Sequence, residues 1–308
     1  MIFKFRLCFV LYIFFFLASE TLAIENRILF KINNEIVTSV DMLEETKYLN
    51  LINKDLQKFS EYEIYEIVKR SILREKIREI ELKKYYKNLK LEKKFLENFM
   101  LNYFKRLNFN SLSDLNYFLE KNSLKLIDIE KKITIQLMWN ELIFQKFSNR
   151  VKIDKELIKK KISSKKVQKE FLISEIVFNV NDKNELDIKY NLIKNEIKKN
   201  NFAKASIIYS ISESSINGGK IGWVKENSLS AQIKNELGKT KIGEITKPIS
   251  IPGAFIVLSL EDKRETESKF DIDKEVKEII KKKTNEQLNQ YSNIYLNKIK
   301  KSLTINEL

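Results

Sequence analysis

The chain has 308 residues, with 57 Lys and Arg against 42 Asp and Glu, a formal charge of +15 at pH 7. It contains no histidine and a single cysteine, which removes the commonest general base, the commonest metal ligand and any internal disulfide. Serine–histidine, zinc–histidine and cysteine–histidine mechanisms each lack a necessary part, and neither a metal nor another cofactor is expected.

Lys4 and Arg6 precede an unbroken apolar run from Leu7 to Ala18, followed by Thr21-Leu22-Ala23. A basic start, a short apolar stretch and small residues describe a secretory signal peptide over 1–23, cut after Ala23. The run is shorter than the roughly 20 residues a bilayer-spanning helix needs; the alternative is an uncleaved anchor. Cys8 lies inside the run, so the exported chain is free of thiols. Export makes nucleic acid a poor partner despite the charge. Residues 24–169 hold 32 Lys and Arg against 21 Asp and Glu, so the basic excess belongs to the first region. A solvated surface set by Lys-, Ile- and Asn-rich composition explains it better than a binding patch for an acidic client or a membrane surface does.

Two short strands, Arg27–Ile32 and Glu35–Thr38, are expected around Asn33-Asn34, with Ser39 capping a helix to about Asn53. Ser60-Glu61-Tyr62-Glu63 has the form of a capping box and opens a helix to about Tyr86. Further helices are expected over Glu92–Leu107, from Ser111, over Leu126–Phe147 and over Asp154–Ile162. No glycine or proline interrupts any of them. Ser163-Ser164-Lys165-Lys166 reads as a boundary.

Beyond it the pattern turns to mixed α/β: a strand Phe171–Asn179, helices Glu185–Asn200 and Phe202–Tyr209, and a loop Gly218–Gly222 with a strand through Val224. A helix Leu229–Leu237 closed by Gly238, then strands Lys247–Ile249 and Ala254–Glu261, complete the module. All six glycines and both prolines of the chain lie between Gly218 and Gly253, so the turn chemistry is confined to this module. A terminal helix, about Ile272–Lys301, carries Val276, Ile280, Leu288, Tyr291, Tyr295 and Ile299 as an apolar stripe. With no partner nearby in sequence, it must bury that stripe on the first helical region.

Residues from about 168 to 264 resemble a parvulin-type peptidyl-prolyl isomerase domain. The motifs run in family order: Ile173-Ser174-Glu175-Ile176-Val177-Phe178, Asn201-Phe202-Ala203-Lys204-Ala205 and Tyr209-Ser210. Gly218-Gly219-Lys220-Ile221-Gly222-Trp223, Gly243-Glu244-Ile245 with Pro248, and Gly253-Ala254-Phe255-Ile256-Val257 follow. The flanks are similar to periplasmic chaperones of the SurA type, through Ile28–Val37, Ser39-Val40-Asp41, Ile129–Leu137 and Tyr291–Tyr295. The resemblance implies a multidomain fold. An all-α SurA-like N-terminal domain (24–165) is completed by a C-terminal segment (265–308), with an α+β parvulin domain (166–264) of one four-stranded antiparallel sheet. One parvulin domain is present where the best-known relatives have two.

An active parvulin carries two histidines, a Cys or Asp, and a Ser or Thr above an apolar platform. By the resemblance the histidines fall at Glu175 and Phe255, the Cys/Asp position at Ser212, and the Ser/Thr position near Ser250 or Ile251. The apolar platform falls at Leu229 and Ile233. Taken alone, Glu175 also reads as an ordinary sheet residue and Leu229 and Ile233 as core; a Glu175–Ser212 hydrogen bond would supply some polarity. The expected function is a periplasmic holdase for unfolded outer-membrane or other exported polypeptides, with weak or lost isomerase activity. The alternative is a working isomerase acting on Xaa–Pro bonds through a histidine-free pocket.

Overall fold

The computed structural model describes residues 26–105, 109, 111–163, 167–180, 182–267 and 272–308. The expected signal peptide, residues 1–23, lies outside the described residues. Strands β1 (Ile28–Ile32) and β2 (Glu35–Thr38) form an antiparallel hairpin, with Asn33 at the turn in the left-handed region at φ 51°. The helical body follows as α1 (Ser39–Ile52), α2 (Glu61–Leu82), α3 (Lys93–Tyr103), α4 (Leu112–Lys121), α5 (Leu126–Phe147) and α6 (Lys155–Ser163).

Capping decides where these helices begin. Thr38, not Ser39, caps α1: its backbone N–H donates to Asp41 Oδ2 at 2.7 Å, and Asp41 N–H returns to Thr38 Oγ1 at 3.3 Å. Ser60 and Glu63 form the expected box at the start of α2. That helix stops at Leu82, four residues before the expected Tyr86, in a turn closed by Lys84, Tyr85 and Tyr86 N–H groups on Glu81 and Leu82 carbonyls. Phe30, Ile32 and Val37 of the hairpin and Leu49, Val68, Met100, Leu115, Leu119 and Ile129 of the helices form one buried core.

The α+β module contains β3 (Val167–Phe178), α7 (Lys183–Lys199), α8 (Phe202–Tyr209), β4 (Lys220–Lys225), α9 (Ala231–Lys239), β5 (Ile249–Ile251) and β6 (Ala254–Glu267). Its sheet is four-stranded and antiparallel, in the order β4-β3-β6-β5. The fold is thus a helical body joined to an α+β domain. Three expectations within the module need correction. Leu229 precedes α9, because Ser230 is the cap. Gly238 lies inside α9, which ends at Thr240 with its hydroxyl donating to the Glu236 carbonyl at 2.8 Å. The strand expected at Lys247–Ile249 forms at Ile249–Ile251, where Ile249, Ser250 and Ile251 pair with Ile256, Phe255 and Ala254.

Helix α10 (Ile272–Ser302) runs back over α6, α5 and α2. Leu288, Tyr295, Leu296 and Ile299 pack around buried Trp139 of α5, and Tyr291 stacks on Phe147 at 5.2 Å. A strand absent from the expectations follows it, β7 (Ile305–Glu307), which pairs with β1 and closes a second sheet of order β2-β1-β7.

The module is seated on the body by an arginine row on α2. Arg70 donates to the Ile207 and Ile208 carbonyls, Arg74 to the Ile211 carbonyl at 2.9 Å, and Arg78 pairs with Glu213 at 2.9 Å. Residues 70, 74 and 78 repeat every four positions and so share one helix face. Burial, reinforced by the like charge of Arg78, pulls the Arg74 guanidinium down to about 10.

Candidate functional site: the polar cluster and apolar platform of the module

The site begins at the middle of β3. Ile173, Glu175 and Val177 share one face of the sheet, because side chains alternate along a strand. Ile173 and Val177 pack with Phe171, Val224, Leu237, Ile256, Leu258 and Leu260, and Glu175 is half-buried among them. The segment after α8 is tied to β3 at this point. The Ile211 N–H donates to the Val177 carbonyl at 2.7 Å, and buried Ser210 Oγ accepts from Val177 N–H at 3.0 Å and Ser212 N–H at 3.2 Å.

That tether brings two hydroxyls to one carboxylate oxygen. Ser212 Oγ donates to Glu175 Oε1 at 2.6 Å, Ser214 Oγ lies 2.8 Å from the same oxygen, and the hydroxyls are 3.1 Å apart. Charge-assisted hydrogen bonds of this length are stronger than neutral ones. Ser214 was not among the expected site residues; its signal is the spacing Ser210, Ser212, Ser214, which repeats every second residue. The Gly218-Gly219 turn holds the other side. Glu175 N–H donates to the Gly219 carbonyl at 2.8 Å, and a Cβ on Gly219 would overlap the Glu175 carbonyl and Ser206 Oγ. With φ at +77°, only glycine sits there without strain.

Leu229 and Ile233 lie at the edge of the same apolar cluster, partly buried beside Ile211 and Ile251. The structure therefore places Glu175, Ser212, Leu229 and Ile233 on one face of the sheet. Phe255 is not brought to it. Its neighbours Ala254 and Ile256 face the Leu229 cluster, while Phe255 turns to the other face, packs with Ile176, Phe178, Ala205 and Val257, and lies 6.1 Å from the Phe178 ring. Ser250, paired with Phe255, is exposed, and Ile251 presents an apolar side chain where a hydroxyl was sought.

Helix α10 reaches the rim of this face. Lys283 Nζ donates to the Ser228 carbonyl at 2.8 Å, next to Leu229, and Lys225 pairs with Glu275. At the β5–β6 turn a Cβ on Gly253 would collide with Ile294. Among the described residues, no group of three His, Cys, Asp or Glu is arranged to hold a metal ion.

Residues 171–262 match the family model of the rotamase, PPIC-type peptidyl-prolyl isomerase domain. The chain is 43% identical over 63 residues to the chaperone SurA of Pseudomonas putida, covering 20% of this chain and 15% of that one. It is 23% identical over 165 residues to the SurA of Pseudomonas aeruginosa, covering 50% of this chain and 40% of that one. The chain thus spans well under half the length of these relatives. Among solved structures, a PpiC-type isomerase domain covers 33% of this chain and 96% of its own, at 26% identity and a TM-score of 0.29. The SurA-like chaperones PEB4 and Cj1289 of Campylobacter jejuni are represented at 12% identity, 92% and 99% coverage and a TM-score of 0.38.

The module is a PPIC-type parvulin domain. Over part of its length the chain that carries it is similar to SurA chaperones.

Proposed function

We propose that this protein is a periplasmic holdase that binds unfolded outer-membrane polypeptides and assists their folding, with a parvulin domain whose isomerase activity is weak or lost. The organisation belongs to the same proposal: a signal peptide over 1–23, a SurA-like helical domain over 24–165, a parvulin-like domain over 166–264 and a C-terminal segment over 265–308 that completes the body. The carrying observation is the closed polar cluster. Glu175 stands where the resemblance puts a histidine, and one of its oxygens already accepts two serine hydroxyls. The second histidine position holds Phe255, which packs on the other sheet face. Rotation about an Xaa–Pro bond faces a barrier of roughly 18–20 kcal/mol, lowered by gripping the ring and favouring the twisted amide. Leu229 and Ile233 can grip, but the polar groups around them are spent on one another.

The similarity to SurA chaperones supports the client-binding half of the reading. So does the body, where exposed Phe95 and Phe144 flank a groove floored by Leu91, Leu137, Met138 and Leu288. Exposed apolar side chains clustered in this way mark an interaction surface.

Two assays on one preparation test the proposal. The protein is expected to suppress aggregation of an unfolded outer-membrane protein at near-stoichiometric ratios, and to leave a proline-limited refolding rate unchanged. Failure to suppress aggregation would remove the holdase. Uncatalysed isomerisation takes about tens to hundreds of seconds, so even modest acceleration is measurable. Acceleration lost in Leu229→Ala and Ser212→Ala would establish the isomerase instead, and the partly exposed Leu229–Ile233 platform is what favours that second reading.

A further inference from the structure

We infer that the outer edge of β7, with the crevice beside it, takes an extended client segment by strand addition. The inference deepens the chaperone reading and rests on it. It starts from register. Phe30, Lys31 and Ile32 of β1 face Glu307, Asn306 and Ile305 of β7. Asn33 N–H donates to the Thr304 carbonyl at 2.8 Å, and Leu308 N–H donates to the Leu29 carbonyl at 3.0 Å. Hydrogen-bonded and non-hydrogen-bonded pairs alternate along an antiparallel ladder. Thr304, Asn306 and Leu308 therefore turn their backbone groups to β1, and Ile305 and Glu307 turn theirs away from it. Among the described residues β7 is the last strand of its sheet. Two N–H groups and two carbonyls thus form a short free edge, which is a template for another strand.

Beside this edge lies a crevice of about 600 Å³, bounded by α2, by α10 and by the start of the parvulin segment after α8. Leu73, Ile77, Ile208, Ile211, Leu296 and Ile305 give it apolar walls. The charged side chains that line it nearly balance, with Lys69, Arg70, Arg74 and Lys300 against Glu63, Glu66 and Glu307, and Lys69 pairs directly with Glu307. With little net field left, the crevice selects a nearly neutral occupant. The edge demands extended backbone, and the walls demand apolar side chains on the side facing them. An occupant that meets both has an apolar residue at every second position. That is the pattern of a strand destined for a membrane β-barrel, in which lipid-facing apolar residues alternate with polar ones.

The test uses the full mature chain and a fluorescent peptide of about ten residues alternating Val or Tyr with Thr. Wild type is expected to bind it, and Glu307→Pro, which removes an outward N–H but no bond to β1, to weaken binding roughly tenfold or more. Glu307→Ala, which keeps that N–H, is expected to stay within about threefold of wild type. Two peptides N-methylated at alternate sets of positions supply an arm that needs no protein variant: one set must abolish binding and the other must spare it. Absence of wild-type binding, a Glu307→Pro variant that binds normally, or equal behaviour of the two methylated peptides overturns the inference. So does a dimer in sedimentation that Glu307→Pro dissolves, since a second copy would then own the edge. Aggregation suppression measured on the same samples separates the readings. If wild type suppresses while the peptide arms fail, strand addition is wrong and the holdase stands; if wild type does not suppress, the holdase itself is wrong.

Discussion

The Trp139 indole N–H donates to Ser292 Oγ at 2.8 Å, a buried hydrogen bond between residues 153 positions apart. Tyr295, one turn further along α10, stacks on the same indole with ring centroids 5.8 Å apart. One side chain of α5 thus both packs and orients the terminal helix.

Removing that anchor should release α10 before it unfolds the body. Trp139→Ala takes a fully buried indole from the core and is expected to cost about 3–5 kcal/mol. Ser292→Ala leaves the indole N–H without its acceptor, at about 1–3 kcal/mol. Urea denaturation gives the magnitudes. Hydrogen exchange should show amides of 286–302 losing protection before those of α2.

The arginine row should govern seating of the parvulin domain. Arg74→Leu removes the donor from the Ile211 carbonyl at a buried position, with an expected loss of about 1–3 kcal/mol. Because both flanking arginines remain, the domain should loosen rather than detach. Limited proteolysis near residues 163–167 is the direct readout, and an unchanged cleavage rate would count against a seating role for Arg74.

Gly219→Ala should damage the parvulin domain selectively. It puts a methyl group into the Glu175 carbonyl and Ser206 hydroxyl at a positive φ, and is expected to cost about 2–4 kcal/mol. A two-step thermal melt, with the body transition unmoved, is the expected result.

Acid should loosen the contacts of α2 with α10, through Glu81, and with α5, through Glu79. Burial pushes Glu79 and Glu81 up, but the Lys83 hydrogen bond to Glu79, the Lys84 and Tyr295 hydrogen bonds to Glu81, and nearby lysines outweigh it. Both carboxyls end below the usual value of 4.5. A depressed folded-state pKa contributes stability that is present above the unfolded value and is lost as pH falls through the folded one. Denaturation midpoints should therefore be flat from neutral pH to about 5 and decline below 4.5, and Glu81→Gln should blunt the decline.

Much of this protein is legible from local chemistry. Ser60 and Glu63 announce α2, Leu126–Phe147 is an uninterrupted helix with the expected limits, and the parvulin motifs follow one another in order. These features depend on neighbours a few positions apart, where capping and side-chain periodicity operate. The same locality explains the misplacements: Gly238 looks like a helix end only while the Thr240 hydroxyl closing on Glu236 is out of view.

What required tertiary structure is every relation across the chain. The parvulin resemblance put Phe255 at a histidine position, but pleat parity, set by the pairing of β6 with β3, turns it into the opposite core. The sequence by itself determined a basic helical chain bearing one parvulin module with neither histidine in place, because composition and motif order need no coordinates. Only the folded molecule decided that Glu175 would be closed by two serines and that β7 would return to β1 with an open edge. Those outcomes depend on which distant segments share a sheet, and three residues such as Ile305–Glu307 carry too little local preference to announce a strand until β1 supplies its hydrogen bonds.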